Sequence, residues 1–265
     1  KHETTPRRNM TIADDIIQAL HERRIHLFLQ PIVSAKTGQP ALHTCLIRMQ
    51  EADGGLVNAG EFIPIAEKLG LWRLIDARTL ELAVELLKTH AQLNLAINVS
   101  SHTTSDREWL AKLREFMEAS PERARRLMIE ITETAAIHDI DQTIYFVDAV
   151  KELGCRVAID DFGAGYTSFR NLKAVNVDMV KIDGSFVVNL AQDAGDQVFI
   201  KAMIDVAEAL KIETVAEWVG DEKVAPILAR AGVGYLQGNY FGMPVAPDEL
   251  ALGGMGETAD RRTQR

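Results

Sequence analysis

The sequence predicts an α/β protein folded as a closed, TIM-like (β/α)8 barrel whose first strand runs antiparallel to its neighbours. Three observations predict this. Short apolar strands alternate with helical segments of about ten residues or more, a pattern typical of parallel strands buried on both faces. Eight strand candidates follow one another, and no GxGxxG sequence opens a helix as a dinucleotide-binding sheet would require. The first two strands are joined by a short turn, so they should pair antiparallel.

The elements follow in a regular order. Apolar residues at helical spacing predict a helix from Thr11, as N-cap, to Arg23. Two strands, at residues 25–33 and 40–49, flank the turn signal Lys36-Thr37-Gly38. Helices are then predicted at residues 71–90, 107–119, 141–154, 168–173, 196–211 and 221–232, and strands at residues 93–100, 126–133, 156–163, 179–186, 213–219 and 235–241.

Composition places the chain among ordinary globular proteins. It has 265 residues, 47% hydrophobic and 25% charged, enough for one large domain with a sizeable core. We predict that this domain spans residues 11–250. Residues 1–10 are polar and are predicted to be a linker from an upstream signalling domain. Residues 251–265 are glycine-rich and then charged, which predicts a disordered tail.

Charge and cysteine content restrict partners and compartment. A net charge of -9 argues against a general binder of nucleic-acid polymers, which usually shows a basic face. Cys45 and Cys155 both lie in apolar segments, so we expect buried free thiols in a reducing, cytoplasmic compartment. No apolar run approaches the roughly 18 residues that a membrane-spanning helix needs.

Polar residues stand where the predicted strands end. In parallel barrels the carboxyl ends of the strands share one rim, and chemistry collects there. The adjacent carboxylates of Asp160 and Asp161 should point to opposite sides of their strand, one of them inward. A cation between close carboxylates would relieve their repulsion, although Asp161 capping the next turn is the alternative. The full set is Asn98, Glu130, Glu133, Asp160, Asp161, Lys181, Asp183, Glu217 and Gln237.

This set of groups favours one class of chemistry. Carboxylates with one amide and one lysine match metal-assisted hydrolysis, in which oxygen ligands hold a divalent cation and the lysine orients a water or neutralises charge. Phosphoryl chemistry is the natural class for such a site.

Eight short motifs, taken together, identify a family that the chain resembles. They are QPIV, FIPIAEKLG, INVS, IEITET, DDFGAGYTSF, VKIDGSF, VAEWV and LQGNYFGMP, and they occur in the order and spacing of the EAL family of bacterial cyclic-di-GMP phosphodiesterases. The similarity runs from about residue 27 to residue 244. It implies a modified eight-stranded barrel with an antiparallel first strand, in agreement with the opening hairpin.

The resemblance also implies residue roles. Lys181 matches the lysine near the attacking water, Glu217 a further acidic residue of the metal centre, and Glu133 the glutamate that steadies the loop at residues 160–169. The implied metal ligands are Asn98, Glu130, Asp160 and Asp161, and the implied ligand-binding residues are Arg48, Gln30, Asp183, Gln237 and Phe241. Arg48 would meet a phosphate, whereas Phe241 either stacks on a guanine or simply packs. The implied cofactor is Mg²⁺ or Mn²⁺, with Ca²⁺ as an ion that binds and inhibits, and the implied partners are cyclic-di-GMP and a second copy that contacts the loop.

One position departs from the family pattern. The family carries Glu-Ala-Leu, one further residue and Arg at the end of its second strand, and this chain has TCLIR from Thr44 to Arg48. Thr44 therefore replaces a metal-ligating glutamate with a weak neutral ligand, which should lower metal affinity and water activation. Three functions stay open: a cyclic-di-GMP receptor with impaired hydrolysis, an active phosphodiesterase that produces linear pGpG, and an interaction module that binds neither ligand nor metal.

Overall fold

The structure, a computed structural model, describes residues 4–165 and 169–250, with side chains for residues 12–165 and 170–250. The strands are β1 (Ile25–Ser34), β2 (Pro40–Gln50), β3 (Leu56–Asn58), β4 (Leu95–Asn98), β5 (Leu127–Thr132), β6 (Arg156–Phe162), β7 (Met179–Ile182), β8 (Glu213–Ala216) and β9 (Tyr235–Gln237). The helices are α1 (Thr4–His21), α2 (Ala59–Lys68), α3 (Trp72–Thr89), α4 (Arg107–Glu118), α5 (Pro121–Ala124), α6 (Glu133–His138), α7 (Ile140–Glu152), α8 (Phe169–Val175), α9 (Ala194–Ala209) and α10 (Val224–Ala231). Single 3-10 turns cover Thr103–Ser105 and Gly184–Phe186.

Eight of these strands close into a barrel. Around the ring the order is β1, β9, β8, β7, β6, β5, β4 and β2, and β2 pairs with β1 to complete it. The pairs from β2 through β4 to β9 are parallel, whereas β1 is antiparallel to both β2 and β9. The predicted fold class, including the reversed first strand, is confirmed.

Several local features differ from the prediction. Helices α2, α5 and α6 were not predicted. Helix α1 begins at Thr4 rather than at Thr11. Pro6 then falls in the first turn, where its missing N–H leaves no helical hydrogen bond unmade. Strand β3 was not predicted because three residues are too few to show a period, and it pairs antiparallel with β2 outside the ring. The assignment of residues 1–10 as a linker stays a prediction, and the predicted tail lies outside the described residues.

Two apolar cores stabilise the barrel. The larger fills the space between the strands and the surrounding helices, and the smaller fills the lower half of the barrel interior. The interior set has one inward side chain from each of seven strands, namely Ile32, Leu42, Ala96, Met128, Ala158, Met179 and Val215. Because strand side chains alternate with period two, the next inward residue on each strand lies one layer closer to the carboxyl rim.

That next layer is polar throughout. It consists of Gln30, Thr44, Asn98, Glu130, Asp160, Lys181, Glu217 and Gln237, each two residues from its lower-layer counterpart, Gln237 following the half-buried Tyr235. The barrel interior therefore changes from apolar to hydrogen-bonding side chains from one layer to the next. The candidate site lies in this polar layer.

Two further findings concern predictions from composition. Cys45 and Cys155 are buried free thiols, as predicted. No helix within the described ranges is long and apolar enough to cross a membrane.

Candidate metal centre at the carboxyl rim of the barrel

Lys181 stands at the centre of the polar layer. Its Nζ lies 2.8 Å from Glu217 Oε1, 2.9 Å from Asp160 Oδ1 and 3.2 Å from Glu130 Oε2. The lysine side chain is only 2% exposed. Burial by itself lowers the pKa of this amine, but the attraction of the three carboxylates outweighs it and holds the pKa well above its usual value. These contacts therefore favour the charged form of Lys181.

The two glutamates that contact Lys181 resist ionisation. Burial raises the pKa of Glu130 to about 7 and that of Glu217 to about 8, and Lys181 opposes both shifts. Glu130 Oε1 is buried and accepts no hydrogen bond within the part of the chain that the structure describes. A buried carboxylate oxygen without a donor is an expected ligand atom for a cation, so the donor set fits a divalent metal ion.

A second group of oxygens forms at the mouth of the barrel. Asp160, Asp161 and Glu217 each offer a carboxylate oxygen, and these atoms lie within 4.8 Å of one another. Burial, Asp160 and Asp183 together raise the pKa of Asp161. Carboxylate oxygens converging in this way suit Mg²⁺ or Mn²⁺.

The backbone at Asp161 differs from the regular strand that the sequence predicts. The pairing of β6 with β7 shifts register between Ile159 and Phe162, and Asp161 has φ = 56°. This irregularity interrupts the alternation, and a carboxylate oxygen of Asp161 lies within 4.8 Å of one of Asp160. Aspartate tolerates this left-handed conformation better than most residues do. The two carboxylates are therefore close together, although regular alternation by itself would send the two side chains to opposite sides of the strand.

Asn98 joins the cluster through Glu130. Its Nδ2 donates to Glu130 Oε2 at 3.0 Å, across neighbouring strands in which the two residues are directly paired. With the amide nitrogen turned toward Glu130, the amide oxygen is the atom that could face a cation.

Glu133 lies beside this cluster and holds the loop that follows β6. Its Oε2 accepts the backbone N–H groups of Gly163 at 2.8 Å and Gly165 at 3.1 Å. A Cβ at Gly165 would stand 3.0 Å from Glu133 Oε1, so glycine lets the carboxylate approach the backbone. These contacts are those of a residue that fixes the loop, the role the resemblance implies.

Side-chain amides lie near Thr44, on the strand next to that of Asn98. Gln237 Nε2 donates to Thr44 Oγ1 and to Gln30 Oε1, each at 3.2 Å, and Gln30 Nε2 donates to the backbone oxygen of Gly242 at 3.2 Å. Thr44 is 1% exposed. Gln237 Oε1 is buried and lacks a donor among the described residues. Thr44 thus belongs to a group of uncharged, hydrogen-bonded side chains with Gln30 and Gln237.

The remaining predicted residues lie around the mouth. Arg48 shares the inward face of β2 with Thr44, and its guanidinium donates to the Ile47 oxygen at 3.0 Å and lies 5.8 Å from the Phe28 ring. The Asp183 carboxylate accepts the N–H of Ser185 at 2.8 Å and so begins a 3-10 turn. Phe241 packs against the larger core, with its ring edge-on to Tyr240 at 5.0 Å. The metal-ligand candidates therefore lie close together, and Arg48, Asp183 and Phe241 lie outside that cluster.

Comparison with known families decides the relationship. A model of the EAL domain family matches residues 13–244 of the chain. The chain belongs to the EAL domain family. The match spans the barrel and includes every residue of the polar layer described above.

Individual EAL relatives support the assignment. The bifunctional diguanylate cyclase/cyclic di-GMP phosphodiesterase MucR of Pseudomonas aeruginosa is 30% identical over 247 residues, which cover 91% of this chain and 36% of that protein. The cyclic di-GMP phosphodiesterase PdeB of Shewanella oneidensis is 33% identical over 238 residues, covering 86% of this chain and 27% of PdeB. The chain thus spans about a third of the length of these curated relatives.

Solved structures show the same fold. The PaMucR phosphodiesterase in its c-di-GMP complex superposes with a TM-score of 0.85 at 31% identity, over 91% of this chain and 99% of that one. The FimX EAL domain from Pseudomonas aeruginosa bound to c-di-GMP gives 0.82 at 28% identity, over 88% and 96%.

Sequence reasoning missed one support of this EAL site. Asp76 in α3 is buried, and its Oδ2 accepts the N–H of Ser100 at 2.8 Å and the hydroxyl of Thr103. These bonds fix the segment that directly follows Asn98. The signal was an aspartate within the apolar face of α3, between Ile75 and Leu80, where a charge needs a partner.

Asp76 should make stability depend on pH. Burial raises its pKa to about 6, against the hydrogen bonds of Thr103 and Ser100. The unfolded chain ionises this group near pH 4, so its contribution to stability is full below about pH 4 and is lost as the pH rises to about 6. Relative to the unaltered protein, Asp76→Asn should therefore gain up to about 3 kcal/mol of unfolding free energy between pH 4 and pH 7.

Urea unfolding at several pH values measures that difference. Thr79→Val, another buried polar substitution in α3, is the matched control, because it removes no titrating group and its difference should not change with pH. A pH-independent difference for Asp76→Asn would contradict the prediction.

Proposed function

We propose that this EAL domain binds cyclic-di-GMP at the carboxyl rim of its barrel, and that Thr44 impairs its metal-dependent hydrolysis of that ligand. The observation that carries the proposal is the composition of the polar layer. Lys181, its three carboxylates and Asn98 are all present, while β2 contributes only the Thr44 hydroxyl. Two of the structural neighbours are c-di-GMP complexes, which supports binding of this ligand.

The residues that would hold a cation lie on adjacent strands. Asn98, Glu130, Asp160 and Asp161 supply the oxygens, and Glu217 adds a further carboxylate. When bound, a divalent cation would lower the pKa of a water and offset charge on the phosphodiester. Lys181 keeps its proton and places a fixed positive charge among the carboxylates, where charge develops during phosphodiester cleavage.

Other groups would orient the nucleotide. The Arg48 guanidinium presents paired donors that match a phosphate. The amides of Gln30 and Gln237 and the Asp183 carboxylate offer hydrogen bonds around the mouth, and Phe241 offers an aromatic edge. Of these groups Gln237 alone donates a hydrogen bond to Thr44, so ligand binding should survive the loss of the charged ligand on β2.

A second function is an active Mg²⁺- or Mn²⁺-dependent phosphodiesterase that produces linear pGpG. The observation that favours it is the oxygen group of Asp160, Asp161 and Glu217, which forms without any contribution from β2.

For both candidate functions we place the domain in the bacterial cytoplasm, within a longer signalling protein. We also propose that it dimerises through the loop at residues 160–169, part of which lies within the described residues.

Titration calorimetry with cyclic-di-GMP tests binding. With Ca²⁺ present, which should keep the ligand intact, we expect saturable heat and a rise in melting temperature. Arg48→Ala should weaken binding by about tenfold or more, because a charge-assisted hydrogen bond contributes about 1.5–3 kcal/mol. Arg114→Ala, which removes an exposed guanidinium on α4, is the matched control and should bind as the unaltered protein does.

The outcomes separate the three functions. Neither heat nor a thermal shift would exclude both binding functions and leave the interaction module. Binding without turnover would support the receptor, and binding with rapid appearance of pGpG would support the enzyme.

A further inference from the structure

Trp218 has an unusual backbone conformation for its size. It directly follows Glu217 at the end of β8 and has φ = 54°. Glycine enters this left-handed region freely, whereas a bulky aromatic residue does so at a conformational cost. Strained backbone conformations of this kind cluster at functional sites, so the Trp218 side chain is a candidate functional group.

The neighbouring backbone holds Trp218 in this conformation. The Glu217 N–H donates to the Ile182 oxygen at 3.2 Å, which keeps the chain in register with β7. On the other side, the Val219 N–H donates to the Gln237 oxygen at 3.0 Å, and the Val219 oxygen accepts from Tyr240 at 3.1 Å. The chain is fixed immediately before and after Trp218, so the barrel sets the direction of the Trp218 Cα–Cβ bond.

The indole lies on Gly184 and is open to solvent elsewhere. A Cβ at Gly184 would stand 2.1 Å from Cγ and from Cδ2 of Trp218, so only glycine leaves room for the ring. Trp218 is nevertheless 60% exposed. Trp109, in contrast, is 3% exposed and donates its Nε1 hydrogen to the Asp76 backbone oxygen. Trp109 has the environment of a packing residue, and Trp218 does not.

The ring adjoins the candidate site from two directions. The residue before it, Glu217, contributes a carboxylate oxygen to the group at the barrel mouth. The residue before Gly184 is Asp183, whose N–H donates to the backbone oxygen of Phe162, the residue after Asp161, at 3.1 Å. Trp218 therefore offers an accessible aromatic face beside the place where the phosphodiester should bind.

We propose that the open face of Trp218 is a stacking platform for one guanine base of cyclic-di-GMP bound at the rim. This inference rests on the proposed function, because it takes the ligand from there. A purine presents a π-face that stacks on an indole without any hydrogen bond, and such stacking contributes substantially to nucleotide binding. Trp218 then contributes to the affinity for the base, while the carboxylates and Lys181 act on the phosphodiester.

Calorimetric titration of cyclic-di-GMP in Ca²⁺ buffer, with melting temperatures of the free proteins, tests the inference. Trp218→Gly should bind about tenfold more weakly or worse. It should melt at the same or a higher temperature, because glycine adopts the positive φ without cost.

Trp218→Phe should restore most of the affinity. Tyr145→Ala, which removes an equally exposed aromatic residue on α7 (60%), should bind like the unaltered protein. Indole fluorescence of the unaltered protein should change on binding, and most of that change should be absent in Trp218→Phe.

Four results would overturn the inference. Unchanged affinity of Trp218→Gly would overturn it while the proposed function stands. A lower melting temperature together with no rescue by phenylalanine would show that the indole stabilises the fold. A change in oligomeric state at unchanged affinity would assign the ring to a protein contact. Absence of binding by the unaltered protein would overturn the proposed function and this role together.

Discussion

Thr44→Glu should convert a slow or inactive protein into a phosphodiesterase, with turnover of cyclic-di-GMP increased by about 10²-fold or more. One preorganised electrostatic group at a reacting centre is commonly worth about 10²–10³ in rate. Thr44 lies in the same interior layer as Glu130 and Asp160, so a glutamate there would add a carboxylate to the cation site. The measurement is a long hydrolysis time course with Mg²⁺ or Mn²⁺, with pGpG resolved by chromatography.

Thr44→Gln is the matched control for this prediction. Glutamine has the shape of glutamate without its charge, so it should leave turnover low and show that the charge, not the bulk, restores activity. Comparable turnover by the unaltered protein and Thr44→Glu would contradict the proposed impairment and favour the active phosphodiesterase.

Lys181→Met should reduce the unfolding free energy by about 3–5 kcal/mol when divalent cations are chelated, the cost typical of leaving buried charges without a partner. Lys181 Nζ is the shared partner of Glu130, Asp160 and Glu217, and methionine fills a similar volume without charge. Adding Mn²⁺ should restore part of the loss, because a cation bound by the same carboxylates replaces the missing positive charge. Urea unfolding with EDTA and with Mn²⁺ measures both effects.

Lys201→Met provides the comparison for Lys181→Met. Lys201 pairs with Asp205 one turn along α9, on the exposed surface, and such pairs contribute about 0.3–0.5 kcal/mol. A loss below about 1 kcal/mol in Lys181→Met would show that the buried carboxylates take up protons at little cost, contrary to the expectation.

Local sequence patterns were sufficient for most of the fold. The alternation of apolar strands with amphipathic helices predicted the eight barrel strands, and the turn at Lys36-Thr37-Gly38 predicted the antiparallel pairing of β1 with β2. These features depend on neighbours within one element or one turn. The early start of α1 and the short strand β3 were missed because neither carries a periodic signal of its own. The helices α2, α5 and α6 were also missed.

The sequence by itself determined which residues reach the rim, since period-two alternation and strand ends specify the polar layer that contains Glu130, Lys181 and Glu217. Only the tertiary structure decided how they meet. Lys181 bonds to Glu130 from 51 positions away. The bulge at Asp161 and the left-handed Trp218 are set by pairing with neighbouring strands. Such contacts join residues that are distant in the chain. Only barrel closure brings these residues together, so a local sequence pattern cannot predict the contacts.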